Sequence, residues 1–475
     1  MLEGLEISIV NLSYVLSDES FGRFDSEYFG KEFLNKEKIL KKLKFNRINQ
    51  LADVTDGEHG SPDLDENSGI VYFSGHNIKE NTIDFEDVRY CSLKLHQKNL
   101  RSSVRAGNIL MSIVGSVGKA SVIYKNILAN SDRNVATIKN ISNETNPYWL
   151  SVFLNSKFGY FQTQRFSTGN VQPLLNLLQV KSIVVPVLSQ DFQSEVELKV
   201  KSVHLKLDES KSSYLQAETM LLETLGMANF SPIAEKVNIK SFKDSFAATS
   251  RLDAEYYEPK YEYIENAFSR FQKIKLADLV NYPISSGITP KAGGDDYTDA
   301  ENGVPFIRAV DLVNGLVDTD NLNYIKPEVH HQTLKRTQLK QNDFLFSIAG
   351  TVGRCSLFQH TFEANINQAV AILRFNDARV NHYYLMLLFN SAIGKEFVAK
   401  YARQGLQTNL NLTEVGELSI PIIDVETQTK IACLVQQSFA LKAQSERLLD
   451  AAKQAVETAI ETNEDAALAW LASIH

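Results

Sequence analysis

The chain has 475 residues, 44% of them hydrophobic and 22% charged, so it can bury the cores of two to four domains. Its net charge of −8 disfavours an indiscriminate nucleic-acid binder, because non-specific affinity comes from neutralising phosphates with Lys and Arg. No apolar run approaches the roughly 20 residues that cross a bilayer, and Glu3 and Glu6 stand where a secretory leader would be basic. We expect a soluble cytoplasmic protein.

The three cysteines do not form a ligand or disulfide pattern. Cys91, Cys355 and Cys433 are far apart and lack the spacing of a zinc site. We interpret them as reduced thiols and predict no metal site in the chain.

In chain order, a strand-rich region comes first. β-Branched or alternating runs predict strands at 109–114, 120–124 and 135–138. A short helix is predicted over 147–159, with Pro147 in its first turn. This mixed α/β unit ends near Pro186.

The hydrophobic period changes after Pro186. Apolar residues then recur at alternating spacings of four and three, interrupted by Ser210: Val196, Val200, Val203, Leu207, Tyr214, Ala217 and Leu221. This spacing is typical of a coiled-coil seam. Gly226 is a plausible end of the helix.

The second half of the chain repeats the first. The segment 109–123 matches 344–358, and Gly115 pairs with Gly350 at an offset of 350 − 115 = 235. The same offset relates Asn155 to Asn390, which places a second short helix at 381–394. A register held for so long indicates a tandem duplication.

Upstream, the register differs. Arg23-Phe-Asp-Ser-Glu-Tyr-Phe29 pairs with Arg251-Leu-Asp-Ala-Glu-Tyr-Tyr257 at an offset of 251 − 23 = 228, so the second copy has gained residues in between. We expect the insertion among the turn-forming residues of 285–296, whose counterpart 56–63 differs in sequence. A shared scaffold with different loops suggests one task performed on two targets.

A second long helix follows Pro421. Its seam is Ile431, Val435, Leu449, Ala452 and Val456, weakened in the middle by Ser438, Lys442 and Ser445. Either helix alone could be an ordinary amphipathic core helix. Because the pattern occurs twice in the same place, a pair of helices about 50 Å long that pack together is the favoured interpretation.

Several segments imitate catalytic motifs. Gly115-Ser-Val-Gly-Lys119 is too short for a phosphate loop, and Ala120 stands where that loop needs Ser or Thr. Asn146-Pro-Tyr-Trp149 lacks the second proline of the methyltransferase motif. We therefore predict tight turns and helix starts at these positions.

Two further candidates are also rejected. Glu255-Tyr-Tyr-Glu-Pro-Lys260 has nuclease-like residue types, yet Glu27-Tyr-Phe-Gly-Lys31 in the first copy lacks a carboxylate. We interpret His330 and His331 as a solvated pair rather than metal ligands, because adjacent residues rarely face one ion.

Three features together resemble a known family. They are the turn Ser-Ile-x-Gly-[Ser/Thr]-Val-Gly-[Lys/Arg], the loop Gln407-Thr-Asn-Leu-Asn411, and a proline with a glutamine that leads into each long helix (Pro186 with Gln193, Pro421 with Gln428). In this order they resemble the specificity subunits of type I restriction-modification systems. The first copy departs from the pattern with Gln172-Pro-Leu-Leu-Asn176.

The resemblance implies an α+β fold with two tandem α/β target-recognition domains, separated by two long antiparallel coiled-coil helices and related by a pseudo-two-fold. The implied segments are target-recognition domain 1 at 1–188, spacer helix 1 at 189–226, target-recognition domain 2 at 227–423 and spacer helix 2 at 424–475.

The resemblance also implies a non-catalytic role. Such a subunit reads an asymmetric bipartite site in double-stranded DNA and docks two methyltransferase subunits and the restriction subunits. Those partners, not this chain, would hold S-adenosylmethionine, ATP and magnesium. The alternatives are a restriction or methyltransferase enzyme with unrecognised motifs, and a scaffold that binds no DNA.

Basic residues near turns are the candidate DNA contacts: Arg101, Arg105, Lys119, Lys335, Arg336 and Arg354. Each could instead be an ordinary solvated charge. Gly115, Gly118, Gly350 and Gly353 are interpreted as structural turns, because residues identical in both copies cannot encode two sequences. Gln172, Asn176, Gln407 and Asn411 are interpreted as parts of a loop that positions the helix, with phosphate contact as the alternative.

Overall fold

The computed structural model describes residues 8–17, 20–169, 171–231, 237–291, 294–403 and 408–474. Gln407, part of the predicted positioning loop, lies outside these ranges. The chain divides into two compact units, the first formed by Met1–Asp208 with Leu441–His475 and the second by Glu209–Ala440. Each unit therefore contains one copy of the repeat and a part of each long helix.

The α-helices of the described residues are, in chain order, α1 (Leu12–Val15), α2 (Lys31–Leu40), α3 (Ile48–Leu51), α4 (Leu93–Lys98), α5 (Pro147–Asn155), α6 (Lys157–Phe166), α7 (Leu177–Lys181), α8 (Gln190–Thr224), α9 (Phe246–Thr249), α10 (Pro259–Phe268), α11 (His382–Asn390), α12 (Ala392–Tyr401), α13 (Leu412–Glu417), α14 (Val425–Glu461) and α15 (Glu464–Ser473). Among them, none is both long and apolar enough to cross a membrane.

The strands over the same ranges are β1 (Phe45–Arg47), β2 (Asp53–Asp56), β3 (Val71–Phe73), β4 (Arg89–Tyr90), β5 (Ile109–Ser112), β6 (Ala120–Val122), β7 (Ala129–Ser131), β8 (Val135–Lys139), β9 (Val184–Pro186), β10 (Gln272–Lys275), β11 (Ser285–Ser286), β12 (Tyr297–Thr298), β13 (Val304–Ile307), β14 (Leu312–Val313), β15 (Leu316–Val317), β16 (Asn323–Ile325), β17 (Phe344–Ser347), β18 (Cys355–Leu357), β19 (Asn365–Ile366), β20 (Val370–Leu373) and β21 (Ser419–Ile422).

The first unit is built on an antiparallel sheet of order β2-β8-β5-β6. The central strand β5 is buried along its whole length, which explains its unbroken apolar run. A smaller sheet of order β4-β3-β7 contains one parallel pair, β3 with β7. Strands β1 and β9 pair at the ends of the copy, next to the start of α8.

The second unit repeats this plan. Its main sheet has the order β11-β20-β17-β18, in the same arrangement as the first. A second sheet of order β12-β16-β13-β19 again includes one parallel pair, β13 with β19. Strands β10 and β21 pair where β1 and β9 do in the first unit.

The predicted short helix is two helices in each copy. Ser156 has extended backbone angles and ends α5, and its hydroxyl then accepts hydrogen bonds from the first turn of α6. Ser391 does the same between α11 and α12. Pro147 does lie in the first turn of α5, as expected.

The two long helices pack together in antiparallel order. In the first unit, Val196 and Val200 of α8 share a core with Ala452 and Val456 of α14. In the second unit, the later part of α8 shares a core with the earlier part of α14, through Ala217, Leu221, Ile431 and Val435.

The predicted seam is right in register, except at one position. Two of the serines that interrupt its apolar pattern are buried in it, and the hydroxyls of Ser210 and Ser438 are 3.0 Å apart and share a hydrogen bond. Leu448 is buried, whereas Leu449 is only partly covered. The first helix ends at Thr224, two residues before Gly226, whose φ is +69°.

The second copy gains seven residues (235 − 228), which fall in three places. Two of them lie before Gly57 and Gly287, because the offset has risen there from 228 to 230. Asn77 and Asp311 form equivalent capping boxes at an offset of 311 − 77 = 234, whereas Gly57 and Gly287 follow equivalent strands at an offset of 287 − 57 = 230. Four residues are therefore gained in the stretch that begins with the predicted loop. One more lies in the π-helical turn Val329–Thr333, which stands where the first unit has α4.

Candidate nucleic-acid interface

One end of the main sheet gathers several connections in each unit. In the first unit, Ser112 pairs with Val135, Met111 with Ala120, and Asp56 with Ala136. The end of β2, the end of β5 and the starts of β6 and β8 are thus level with one another. We call this the loop end of the sheet.

A shared turn joins two strands at each loop end. It comprises 113–119 between β5 and β6, and 348–354 between β17 and β18. Gly115 and Gly118 have φ of +75° and +94°, and Gly350 and Gly353 have +79° and +88°. These angles favour glycine because a Cβ atom strains the left-handed region.

Each shared turn is fixed to the loop before a short helix. The Gly115 N–H donates to the carbonyl of Pro173 at 3.0 Å, and the Gly350 N–H donates to that of Thr408 at 3.2 Å. Asn176 then caps α7, and Asn411 caps α13, each through a reciprocal capping box. Asn176 and Asn411 therefore start the helix, as their interpretation expected, and Gln172 is exposed.

A different loop leaves the same end of each sheet. We call 57–70, between β2 and β3, and the described residues 287–291 and 294–303, which lie between β11 and β13 and include β12, the recognition loops. Each begins at a glycine that has no room for a side chain: a Cβ on Gly57 would lie 1.9 Å from the Ser131 carbonyl oxygen, and on Gly287 1.8 Å from that of Ile366. This pair was not among the predicted site residues, although a glycine directly after each strand is a sequence signal for it.

The predicted basic residues of the first unit are not all together. The Nη1 atom of Arg101 is 3.5 Å from Oδ1 of Asp56, so this guanidinium lies at the loop end, and the side chain is 62% exposed. Lys119 lies at the same end beside β6, three strand spacings or about 14 Å across the sheet. Arg105 lies in the turn that precedes β5, at the opposite end.

The second unit has the same arrangement. Lys335 and Arg336 are exposed in a 3₁₀ turn, Lys335–Thr337, that packs against β11, and Arg336 is equivalent to Arg101 at the offset of 336 − 101 = 235. Arg354 is half-buried in the shared turn. Over the described ranges, the side chains of Arg105, Lys119, Lys335, Arg336 and Arg354 make no hydrogen bond or ion pair.

A buried histidine and asparagine hold the segment that carries Arg101. Nδ1 of His96 is 2.6 Å from Oδ1 of Asn130, whose Nδ2 donates to the carbonyl of Asn99 at 3.2 Å. In the second unit, Asn365 contacts Nδ1 of His330 at 3.2 Å and the carbonyl of Leu334 at 3.0 Å.

The interpretation of His330 as solvated is wrong. It is 2% exposed because it takes the place of His96, and burial lowers the pKa of its imidazole. The ligand atoms of His330, His331 and Glu363 lie within 4.8 Å of one another, close enough for a metal ion. The Thr337 hydroxyl donates to Oδ1 of Asn365, which leaves Nδ2 to donate to His330 Nδ1. The ring proton is then on Nε2, and both nitrogens are unsuited to a metal.

The three cysteines are free, and two of them are buried. The Cys91 and Cys355 thiols are buried and free, and burial raises the pKa of each. Cys433 is free and exposed.

Comparison with known proteins finds one family model that is similar to the second part of the chain. Residues 269–451 match the family model described as "Type I restriction modification DNA specificity domain". The type I restriction enzyme EcoBI specificity subunit of Escherichia coli is 28% identical over 167 residues, which are 35% of this chain and 34% of that protein. The match therefore spans about a third of the curated relative.

Two solved structures align over most of the chain. The S subunit of a type I restriction-modification system from M. genitalium aligns over 88% of this chain and 95% of its own, with 13% identity and a TM-score of 0.44. The HsdS subunit from Thermoanaerobacter tengcongensis aligns over 88% and 97%, with 14% identity and a TM-score of 0.29.

The family description names DNA specificity. Residues 269–451 are therefore similar to the type I restriction-modification DNA specificity domains.

Proposed function

We propose that the chain is the DNA specificity subunit of a type I restriction-modification complex, and that each unit reads one half of an asymmetric bipartite site. The observation that carries this proposal is the loop end of each sheet. There a turn shared by both units stands beside a recognition loop that differs between them.

The recognition loops differ in chemistry as well as in length. The first begins Gly57-Glu-His-Gly-Ser-Pro and the second Gly287-Ile-Thr-Pro-Lys. Base edges in the major groove present a distinct pattern of donors, acceptors and methyl groups for each base pair. Two loops with different side chains on one scaffold are therefore suited to two different half-sites.

Arg101, Lys335 and Arg336 are the proposed base readers. They lie beside the recognition loops and carry donors that suit the O6 and N7 acceptors of guanine. Loss of a bidentate contact lowers discrimination by about 1–3 kcal/mol. Arg105 lies at the opposite end of its sheet, so we do not place it in this site.

The long helices are the proposed docking surface for two methyltransferase subunits, with restriction subunits joining that complex. Leu198 and Leu205 of α8 are 59% and 60% exposed, and their spacing of seven places them on one face. An exposed apolar stripe on a helix suits a partner helix. S-adenosylmethionine, ATP and magnesium would be bound by these partners.

The test is to co-express the chain with the methyltransferase encoded beside it and to map modified adenines across a genome. We expect one motif of two different specified halves with a fixed unspecified spacer. A contiguous motif, or methylation without sequence preference, would contradict the proposal. A scaffold that does not read DNA predicts the second of these results.

A further inference from the structure

We propose that the two shared turns, 113–119 and 348–354, are phosphate-binding sites, in which Lys119 and Arg354 hold the DNA backbone rather than read bases. This inference rests on the proposed function and assigns a ligand to one part of it. It separates the predicted basic residues into two classes according to their place in the repeat.

The first argument is the identity of the two turns. Both have the sequence Gly-[Ser/Thr]-Val-Gly-[Lys/Arg] and the same pair of left-handed glycines. Two binding elements with the same backbone and the same chemical groups are poorly suited to distinguish two different half-sites. The ligand common to both half-sites is the phosphate backbone, whose contacts set position and carry no direct sequence information.

The second argument is the set of donors that the turn leaves unused. In the first unit, the N–H groups of Gly115, Val117 and Gly118 donate to the carbonyls of Pro173, Gly115 and Ser112. Ser116 is exposed, and neither its N–H nor its hydroxyl makes a hydrogen bond with another described residue. An N–H, a hydroxyl and the Lys119 ammonium are thus available on one turn.

The second unit leaves the same donors. The N–H groups of Gly350 and Gly353 donate to the carbonyls of Thr408 and Ser347. Thr351 is exposed, and its N–H and hydroxyl donate to no other described residue. Phosphate oxygens accept from backbone N–H, hydroxyl and cationic groups alike, so this combination suits a phosphate.

The third argument is that the backbone that carries each cation is held in place. The carbonyl of Lys119 accepts from the N–H of Ser112 at 2.9 Å, and that of Arg354 accepts from the N–H of Ser347 at 2.9 Å. Both side chains are half-buried, and neither pairs with a carboxylate in the part of the chain that the structure describes. Each therefore presents an unneutralised charge from a fixed position in the turn.

The test uses the assembled methyltransferase complex with Lys119→Gln, Arg354→Gln and the double variant. We measure the dissociation constant on target and on unrelated duplex DNA over a range of salt, and the methylated motif across a genome. Lys119→Arg and Arg354→Lys, which exchange the residues of the two copies, keep the charge. Arg105→Gln removes one exposed charge from the opposite end of the sheet.

We expect each Gln variant to weaken binding to both DNAs by a similar factor, and to lower the slope of log affinity against log salt by about 0.9. The motif should be unchanged, and the charge-keeping variants should behave as the parent. A motif relaxed in one half would overturn the proposal, because the residue would then read bases. The proposal would also be overturned if Lys119→Gln or Arg354→Gln showed the same dependence of log affinity on log salt as Arg105→Gln. Failure of the parent complex to methylate a bipartite motif is a different result, which contradicts the proposed function itself.

Discussion

The side chain of Asn155 binds both polar groups of the Ala120 backbone. Its Oδ1 accepts from the Ala120 N–H at 3.1 Å, and its Nδ2 donates to the Ala120 carbonyl at 2.7 Å. Asn390 binds Cys355 in the same way, at 3.0 and 2.8 Å. Because β6 and β18 are edge strands of the main sheets, each asparagine binds outward-facing backbone groups at one position of the edge.

Asn155→Ala should therefore lower the free energy of unfolding by about 1–3 kcal/mol, since it leaves the buried Ala120 N–H without a partner and removes one of the donors to the Ala120 carbonyl, which keeps the Asn81 N–H. Asn390→Ala should have a similar effect on the second unit. Denaturant unfolding followed by circular dichroism measures both. Asn126→Ala, at an exposed asparagine of the first unit, is the control and should change stability by less than about 0.5 kcal/mol. If Asn155→Ala and the control unfold with the same free energy, the hydrogen bonds of Asn155 to the edge strand do not stabilise the protein.

These asparagines illustrate what the sequence can predict. The offset of 235 pairs Asn155 with Asn390 and predicts equivalent positions correctly, because a duplicated fold keeps its geometry. The role does not follow from the pattern, since the partners Ala120 and Cys355 are distant in the chain and have no polar side chain. Gln193 and Gln428 form a similar equivalent pair. The side-chain oxygen of Gln193 accepts from the Asn146 N–H, and that of Gln428 accepts from the Asn381 N–H, each at 2.8 Å and each just before a short helix.

His204 differs from its equivalent in the second copy, Phe439, at the offset of 439 − 204 = 235. It is buried against Tyr124, with ring centroids 4.1 Å apart, and its Nε2 donates to the Asn81 carbonyl at 3.1 Å. Burial lowers the pKa of the imidazole; the Asn81 carbonyl and Asp208 raise it, while Lys125 lowers it. Tyr148 is the other ring beside it.

A histidine with a lowered pKa in the folded state binds its proton more readily when unfolded. Stability therefore falls as the pH drops through about 6.5, the value in the unfolded chain. His204→Phe should reduce this slope by up to about 1.4 kcal/mol per pH unit. Unfolding measured at several values between pH 5 and 7 tests this. Burial also lowers the pKa of His330 and His382 in the second unit, so part of the slope should remain. An unchanged slope would contradict the assignment to His204.

Glu37 and Arg165 form an ion pair of 2.9 Å that joins α2 to α6, and the Arg165 side chain is 2% exposed. Burial alone would raise the pKa of Glu37, but Arg165 and Lys41 hold it below its usual value. The pair Lys400 with Glu265 repeats this contact in the second unit.

Glu37→Gln should lower the free energy of unfolding by about 3 kcal/mol, because it leaves the buried guanidinium without its counter-charge. The stabilisation by Glu37 is present above the unfolded carboxyl pKa and is lost on acidification, so the variant should also show a smaller loss of stability in acid. Glu32→Gln breaks an exposed pair with Lys36 in the same helix and should have an effect below about 1 kcal/mol. Comparable losses in the two variants would refute the distinction between buried and exposed pairs.

Gly57→Ala and Gly287→Ala should each destabilise the protein by about 2 kcal/mol or more, since the added methyl group would overlap a strand carbonyl. Thermal unfolding measures the loss. Gly60→Ala is the control in the same loop, where the nearest atom is the flexible Glu58 carboxylate at 3.1 Å. If both copies accept alanine at the first glycine, the recognition loops do not start from this fixed point.

The recognition loops are the part that the sequence predicted least. Their start is set by a close approach to β7 and β19, which is a tertiary contact. The positions of Arg101 and Arg105 also depend on tertiary structure. They are only four residues apart in the chain, but Arg101 lies at the loop end of the main sheet and Arg105 lies at the opposite end. The π-helical turn that buries His330 shows the same limit. The offset of 235 pairs His96 with His331, but one inserted residue in this turn gives the contact with Asn365 to His330 instead.

The most direct test of the account replaces residues 45–145 by 273–380, so that both units carry the recognition elements of the second. The complex of this chain with the methyltransferase is then used to map modified adenines. We expect a motif in which the half-site read by the second unit occurs twice and the half-site read by the first unit is absent. A motif identical to that of the parent chain would contradict it.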